Sequence, residues 1–202
     1  MTAEFLLTAF IVCITPGIGV IYTLSMTLGG GLRAGVWAAI GCTLATVLHM
    51  IVALAGLAAL LLTSALLFQT VKYAGVAYLL WMAWAVLKGS GSMTLTPAAP
   101  APALRILWRG VLLNILNPKL PLFFVAFLPQ FLPASGATPA MMIELGAGFS
   151  LMTLGTFLLY AAVAASGRRG LLESPRVMAW LRRVFAASFA ALGLRLALER
   201  AA

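Results

Sequence analysis

The chain has 202 residues, 63% of them hydrophobic and only 8% charged, where soluble domains carry roughly 25% charged residues. With a mean hydropathy of +1.10, this excludes a water-soluble domain and points to an all-α integral membrane protein, long enough for about five to seven spans at about 20 apolar residues each. The formal net charge of +9 would suggest nucleic acid in a soluble chain; in a membrane chain Lys and Arg gather in cytoplasmic loops, so no nucleic-acid partner is expected.

The first expected span runs from Phe5 to Leu28. Its apolar run is too long for a cleavable signal core of about 7 to 15 residues, and Glu4 stands where a basic leader would be, so it should stay in the mature protein. "GGGLRAG" then reads as a turn carrying Arg33, and a second apolar run from Val36 to about Leu62 is interrupted only by His49. The third span lies near Val71 to Leu87, bracketed by Lys72 and Lys88, which can snorkel toward the interfaces. "GSGSMTLTPAAPAPA", residues 89–103, has the composition of a flexible linker. The fourth span covers about Ile106 to Phe131 and the fifth about Leu145 to Ala165. A basic connection from Gly167 to Arg183 leads to a sixth, near Val184 to Leu198, interrupted by Arg195.

With six spans, Arg33, Lys88, Arg105, Arg109, Arg168, Arg169, Arg176, Arg182 and Arg183 fall on one side; Lys72, Arg195 and Arg200 fall on the other. The positive-inside rule makes the first side cytoplasmic and puts both termini outside; a five-span arrangement would move one terminus. Residues 1–202 thus form a single transmembrane domain, with half-repeats of about 1–90 and 104–202 around the linker. Three spans per half make the second half inverted relative to the first, the arrangement common in transporters. The halves correspond most clearly at proline: Pro16 in "CITPGIGV" and Pro118 in "NILNPKLP" each sit about halfway along the first and fourth spans, after Thr15 and Asn117.

Proline offers no N–H and clashes with the preceding turn, so both spans are expected to be broken there. Freed backbone groups at membrane depth are tolerated when buried in protein or lining a wet cavity. The restarted half-helix presents free amides and a positive dipole to an anion. Thr15, Pro16, Gly17, Asn117, Pro118 and Lys119 are therefore the expected substrate-binding residues, with Lys119 supplying the full charge. A lone proline kink is ordinarily a packing feature; two at corresponding positions, one beside an intramembrane lysine, favour a site. His49, whose reference pKa of about 6.5 suits titration, is a candidate for proton coupling or a histidine hydrogen-bonded within the bundle. There is no Asp, and Glu4, Glu144, Glu173 and Glu199 all lie near span ends. Tyr160 and Gln130 read as interfacial or packing residues. Cys13 and Cys42 read as buried small hydrophobes without metal-ligand spacing, so no metal and no cofactor is expected. The small-residue stretch "GAGF" in the fifth span can pack within the monomer or between copies of a homo-oligomer.

Four stretches, "FLLTAFIVCITPGIGVIYTLSMTLGGGLRAGVWAAIG", "VLHMIVALAGLAALL", "VKYAGVAYLLWMAWAVLKG" and "GVLLNILNPKLPLFFVAFLPQFL", resemble in order the signatures of the LysE/RhtB exporters. "NPK" followed by a Phe-rich run and "LPQF" is the most specific piece. The resemblance implies a bacterial inner-membrane secondary transporter that moves amino acids or related metabolites outward, driven by membrane potential or a proton gradient. It carries Thr15-Pro16-Gly17 and Asn117-Pro118-Lys119 over as the family's motifs. The family commonly has Pro-Gly-Pro in the first span, where this chain has Ile18 as the last of the three. Gly41 and His49 match the second-span pattern, whereas Ala45 and Thr46 stand where many members have Gly followed by Asp or a small residue. No carboxylate is therefore offered there to a cationic amino group.

Two other functions fit less of the sequence. A thiol-disulfide electron carrier needs a cysteine on each broken span, but Ile115 holds the position matching Cys13. A membrane-embedded hydrolase is not expected, because the chain has one histidine, no Asp and no H-E-x-x-H. An anion channel lined by Lys119 remains the alternative to an exporter.

Overall fold

In a computed structural model the described residues are 1–14, 17–63, 96–116, 138–167 and 174–198. Isolated positions between 70 and 88, with Leu120, Phe124 and Phe131, complete the set. Every element among them is helical: α1 (Ala3–Ile14), α2 (Ile18–Thr63), α3 (Ala103–Ile115), α4 (Pro139–Ala165) and α5 (Pro175–Leu198). The described positions of the expected third span are helical too.

Two segments are long and apolar enough to cross a membrane, Ile18–Ala53 and Pro139–Ala165. The first is not one straight span. At Gly31 the backbone takes φ 74 and ψ −178, a conformation that costs a residue with a Cβ about 1–3 kcal/mol, and α2 folds back there into two arms. Thr27 Oγ1 on the first arm would lie 2.0 Å from a Cβ placed on Gly35 of the second. The turn expected from "GGGLRAG" is thus present. α1 and the first arm of α2 together hold about 38 Å of helix at 1.5 Å per residue, against an apolar layer of about 30 Å.

Neighbouring helices run in the directions that alternate crossing requires. α1 and α4 are parallel: the N-terminal ammonium pairs with Glu144, Cys13 meets Thr153 and Ile14 meets Tyr160. The second arm of α2 runs antiparallel to α4, with Gly35 beside Ala161 and Met50 beside Gly146. It runs parallel to α3, where a Cβ on Gly41 would fall 2.2 Å from the Leu107 carbonyl oxygen. Gly146 and Gly148 of "GAGF" face Met50 and Met1 of the same chain, so this stripe packs within the monomer.

The helices expose large apolar side chains and bury small hydroxyl residues among an otherwise apolar interior. On α4, Ser150, Thr153 and Thr156 are buried, while Leu151 is 69% exposed and Ile143 66%; on α2, Thr23, Thr27, Thr43 and Thr46 are buried while Val52 is 70% exposed. A water-soluble bundle has the opposite pattern; outward hydrocarbon and small inward residues suit lipid. The buried hydroxyls of Thr27, Thr43, Thr46 and Thr153 bond to carbonyls four residues back, which satisfies them without a partner helix.

Two elements differ from the sequence expectation. Composition predicts a flexible linker over residues 89–103, yet part of it is docked: Ala98 N–H donates to the Ser25 carbonyl at 3.0 Å. The Ala98 carbonyl occupies the space a Cβ on Gly29 would need. Helix α5 begins at Pro175, nine residues before the expected sixth span, because the exposed Arg176 and Arg183 continue the helix rather than end it.

Candidate functional site

The first break is where proline chemistry puts it. α1 ends at Ile14 and α2 begins at Ile18, and the Gly17 carbonyl accepts Ile21 N–H at 3.0 Å to close the first turn of the restarted helix. On the other side of the bundle α3 ends at Ile115, with Leu116 N–H closing its last turn on Leu112 at 3.1 Å. Of the six expected binding residues, Gly17 is described and half-buried. Thr15, Pro16, Asn117, Pro118 and Lys119 lie outside the described residues, as do Gln130 and Glu173.

The residues flanking the two breaks share one cavity of ≈ 40 Å³. Val12 and Cys13 reach it from before the first break and Gly17, Gly19 and Val20 from after it; Asn114 and Leu120 reach it from either side of the second. Thr46 on α2 and Phe149, Thr153 and Phe157 on α4 complete the wall. The cavity separates two buried clusters. One gathers Phe5, Ala9, Met50, Phe124 and Phe149, with Phe124 and Phe149 edge to face at 5.0 Å; the other gathers Tyr22, Leu24, Ala38, Cys42, Ile106 and Phe157.

Asn114 is the polar centre of this region and is 2% exposed. Its amide donates to the Cys42 carbonyl at 3.0 Å, tying α3 to α2. Its side chain also fills the space beside Gly19, where an added Cβ would lie 2.9 Å from Asn114 Nδ2 and 2.9 Å from Phe157 Cζ. The Asn114 backbone carbonyl lies 3.1 Å from His49 Nε2. A carbonyl only accepts, so Nε2 carries the proton in this contact. Across the cavity Tyr160 donates its hydroxyl to the Ile14 carbonyl at 2.6 Å, and the Cys13 thiol meets Thr153 Oγ1 at 3.3 Å.

His49 is therefore bonded within the bundle, next to the second break. Sequence reasoning passed over Asn114, although its spacing of four from Pro118 marks the carbonyl that a proline cannot serve. It also read Tyr160 as a packing residue. No local signal could have paired Tyr160 with Ile14, 146 positions away. Cys13 and Cys42 are both buried.

Outward hydrocarbon, buried hydroxyls and a small cavity beside the interrupted helices fit a helical membrane protein. The chain belongs to the LysE type translocator family, whose model matches residues 10–200. It is 29% identical over 200 residues to an uncharacterized membrane protein of Vibrio cholerae serotype O1, covering 98% of this chain and 96% of that one. It is 37% identical over 131 residues to a leucine efflux protein of Enterobacter sp. (strain 638), covering 63% and 61%. It is 28% identical over 197 residues to a homoserine/homoserine lactone efflux protein of Salmonella typhimurium, covering 97% and 95%. No solved structure matches.

Proposed function

We propose that this protein is a secondary exporter of amino acids, or closely related metabolites, with uncharged side chains, working by alternating access across a bacterial inner membrane. The observation that carries this reading is the cavity walled from both sides of both breaks, in a family whose relatives include leucine and homoserine/homoserine lactone efflux proteins. In the reading, Thr15, Pro16 and Gly17 on one side and Asn117, Pro118 and Lys119 on the other bind the substrate. The amides of the restarted helices and the Lys119 ammonium hold its carboxylate. The described wall offers hydroxyl, amide, thiol and hydrocarbon surface but no carboxylate, which suits an uncharged side chain better than a cationic one.

The cavity of ≈ 40 Å³ has room for about three waters by the usual requirement of about 10–15 Å³ each. It is far below the roughly 300–1,000 Å³ of small-molecule pockets, so the cavity must widen to take up an amino acid. The buried clusters on either side act as two plugs that open in turn as one inverted half rocks against the other. The basic loops face the cytoplasm and both termini face outward in this scheme. The candidate role of His49 in proton coupling is tested by the pH profile of export: an unchanged profile in His49→Ala would remove it from the coupling step.

The test is counterflow in proteoliposomes preloaded with leucine, homoserine or another neutral amino acid. The parent should exchange label saturably, and Lys119→Met should lose at least about tenfold of that rate, as expected for one charge-assisted contact of about 1.5–3 kcal/mol. Full exchange by an inserted Lys119→Met protein would overturn the role given to the lysine.

A further inference from the structure

Each interrupted helix is held by a side chain from the other half of the chain. Pro118 has no N–H to give the carbonyl four residues back, that of Asn114; this oxygen takes the capping Leu116 N–H and also meets His49 of the second arm of α2 at 3.1 Å. Ile14 is the last residue of α1, so its carbonyl is among those a helix end leaves without an intrahelical donor; it is met by Tyr160 of α4 at 2.6 Å. The second helical segment of each half thus bonds to the break in the other half. Exchanging the halves exchanges α1 with α3 and the second arm of α2 with α4, so the two bonds join corresponding elements, although in different register: Ile14 lies two residues before Pro16 and Asn114 four before Pro118. The correspondence concerns the elements and the function, since the residue types differ.

We propose that His49 and Tyr160 are a reciprocal pair of positioning residues that latch the two interrupted helices in the closed state, and that each bond breaks when its side of the cavity opens. The proposal rests on the alternating-access reading and names the contacts that alternate. A freed carbonyl at membrane depth needs a donor. Holding that donor on the opposite half couples the satisfaction of the break to the relative position of the halves.

Cys13 provides the readout. It is buried, lines the cavity and immediately precedes Ile14, whose carbonyl Tyr160 holds. In full-length protein carrying Cys42→Ala, so that one thiol remains, the rate of Cys13 modification by a small methanethiosulfonate reagent in liposomes reports opening of the cavity. Loss of one net hydrogen bond should shift the closed-to-open ratio about fivefold. Tyr160→Phe, which keeps the ring, and His49→Leu should each raise the labelling rate about that much. His49→Gln, whose amide N–H sits at the reach of Nε2, should label at the parental rate. Parental rates in inserted Tyr160→Phe and His49→Leu proteins would overturn the proposal, as would a His49→Gln rate equal to that of His49→Leu. Labelling needs no substrate, so a failure of the export reading shows itself separately, as a parent protein without counterflow of any amino acid.

Discussion

At the residue scale, Asn114 decides how closely α2 and α3 can meet. Its amide donates to the Cys42 carbonyl at 3.0 Å in a place that is 2% exposed. Asn114→Ala should cost about 1–3 kcal/mol through the lost bond and the space left behind. Asn114→Asp should cost more, although it is nearly isosteric, because it sets a carboxyl oxygen against a carbonyl oxygen where the dielectric is low. Thermal unfolding in detergent checks the order, and an Asp variant as stable as the Ala variant would contradict it. The sequence made Asn117 conspicuous through its proline, whereas Asn114 is a single polar residue in an apolar run. Its partner lies 72 positions away, and nothing local reveals a contact at that range.

At the element scale, the contrast lies between two glycines of α2. Gly31 has φ 74, ψ −178 and nothing within 4 Å of an added Cβ, so Gly31→Ala should cost only the strain of that glycine-only backbone region, about 1–3 kcal/mol, and leave transport in place. Gly41→Ala would instead put a Cβ 2.2 Å from the Leu107 carbonyl oxygen. That neighbour is backbone and cannot rotate away, so α2 and α3 must separate and the Asn114 and His49 bonds lengthen with them. We expect Gly41→Ala to lower the unfolding temperature more than Gly31→Ala and to reduce counterflow severalfold, both measured in the same preparation. The turn at Gly31 was legible because three consecutive glycines followed by Arg33 end an apolar run. The docking of Ala98 on α2 was not: Pro and Ala describe what the backbone can do, not which surface it meets.

At the scale of the whole molecule, the proposed exporter and a channel differ in how the two buried clusters beside the cavity would have to open. A pore that conducts must open both at once, whereas alternating access keeps one closed. Reconstituted protein should therefore show saturable exchange without a steady anion conductance in planar bilayers. A conductance without exchange would favour the channel.

By itself the sequence determined the solvent, the helical class, the family resemblance and the first interruption, because these follow from local chemistry: the length of apolar runs, the spacing of basic residues and the missing N–H of proline. It named the residues at the breaks without saying what they touch. Only the tertiary structure decided that residues flanking both breaks share a cavity, that Asn114 joins α3 to α2, and that His49 and Tyr160 each hold a carbonyl of the opposite half. Those contacts join residues 65 to 146 positions apart. They exist because apolar helices in lipid expose their hydrocarbon outward and turn their small and polar faces toward one another, which brings into bonding distance groups that no local pattern connects.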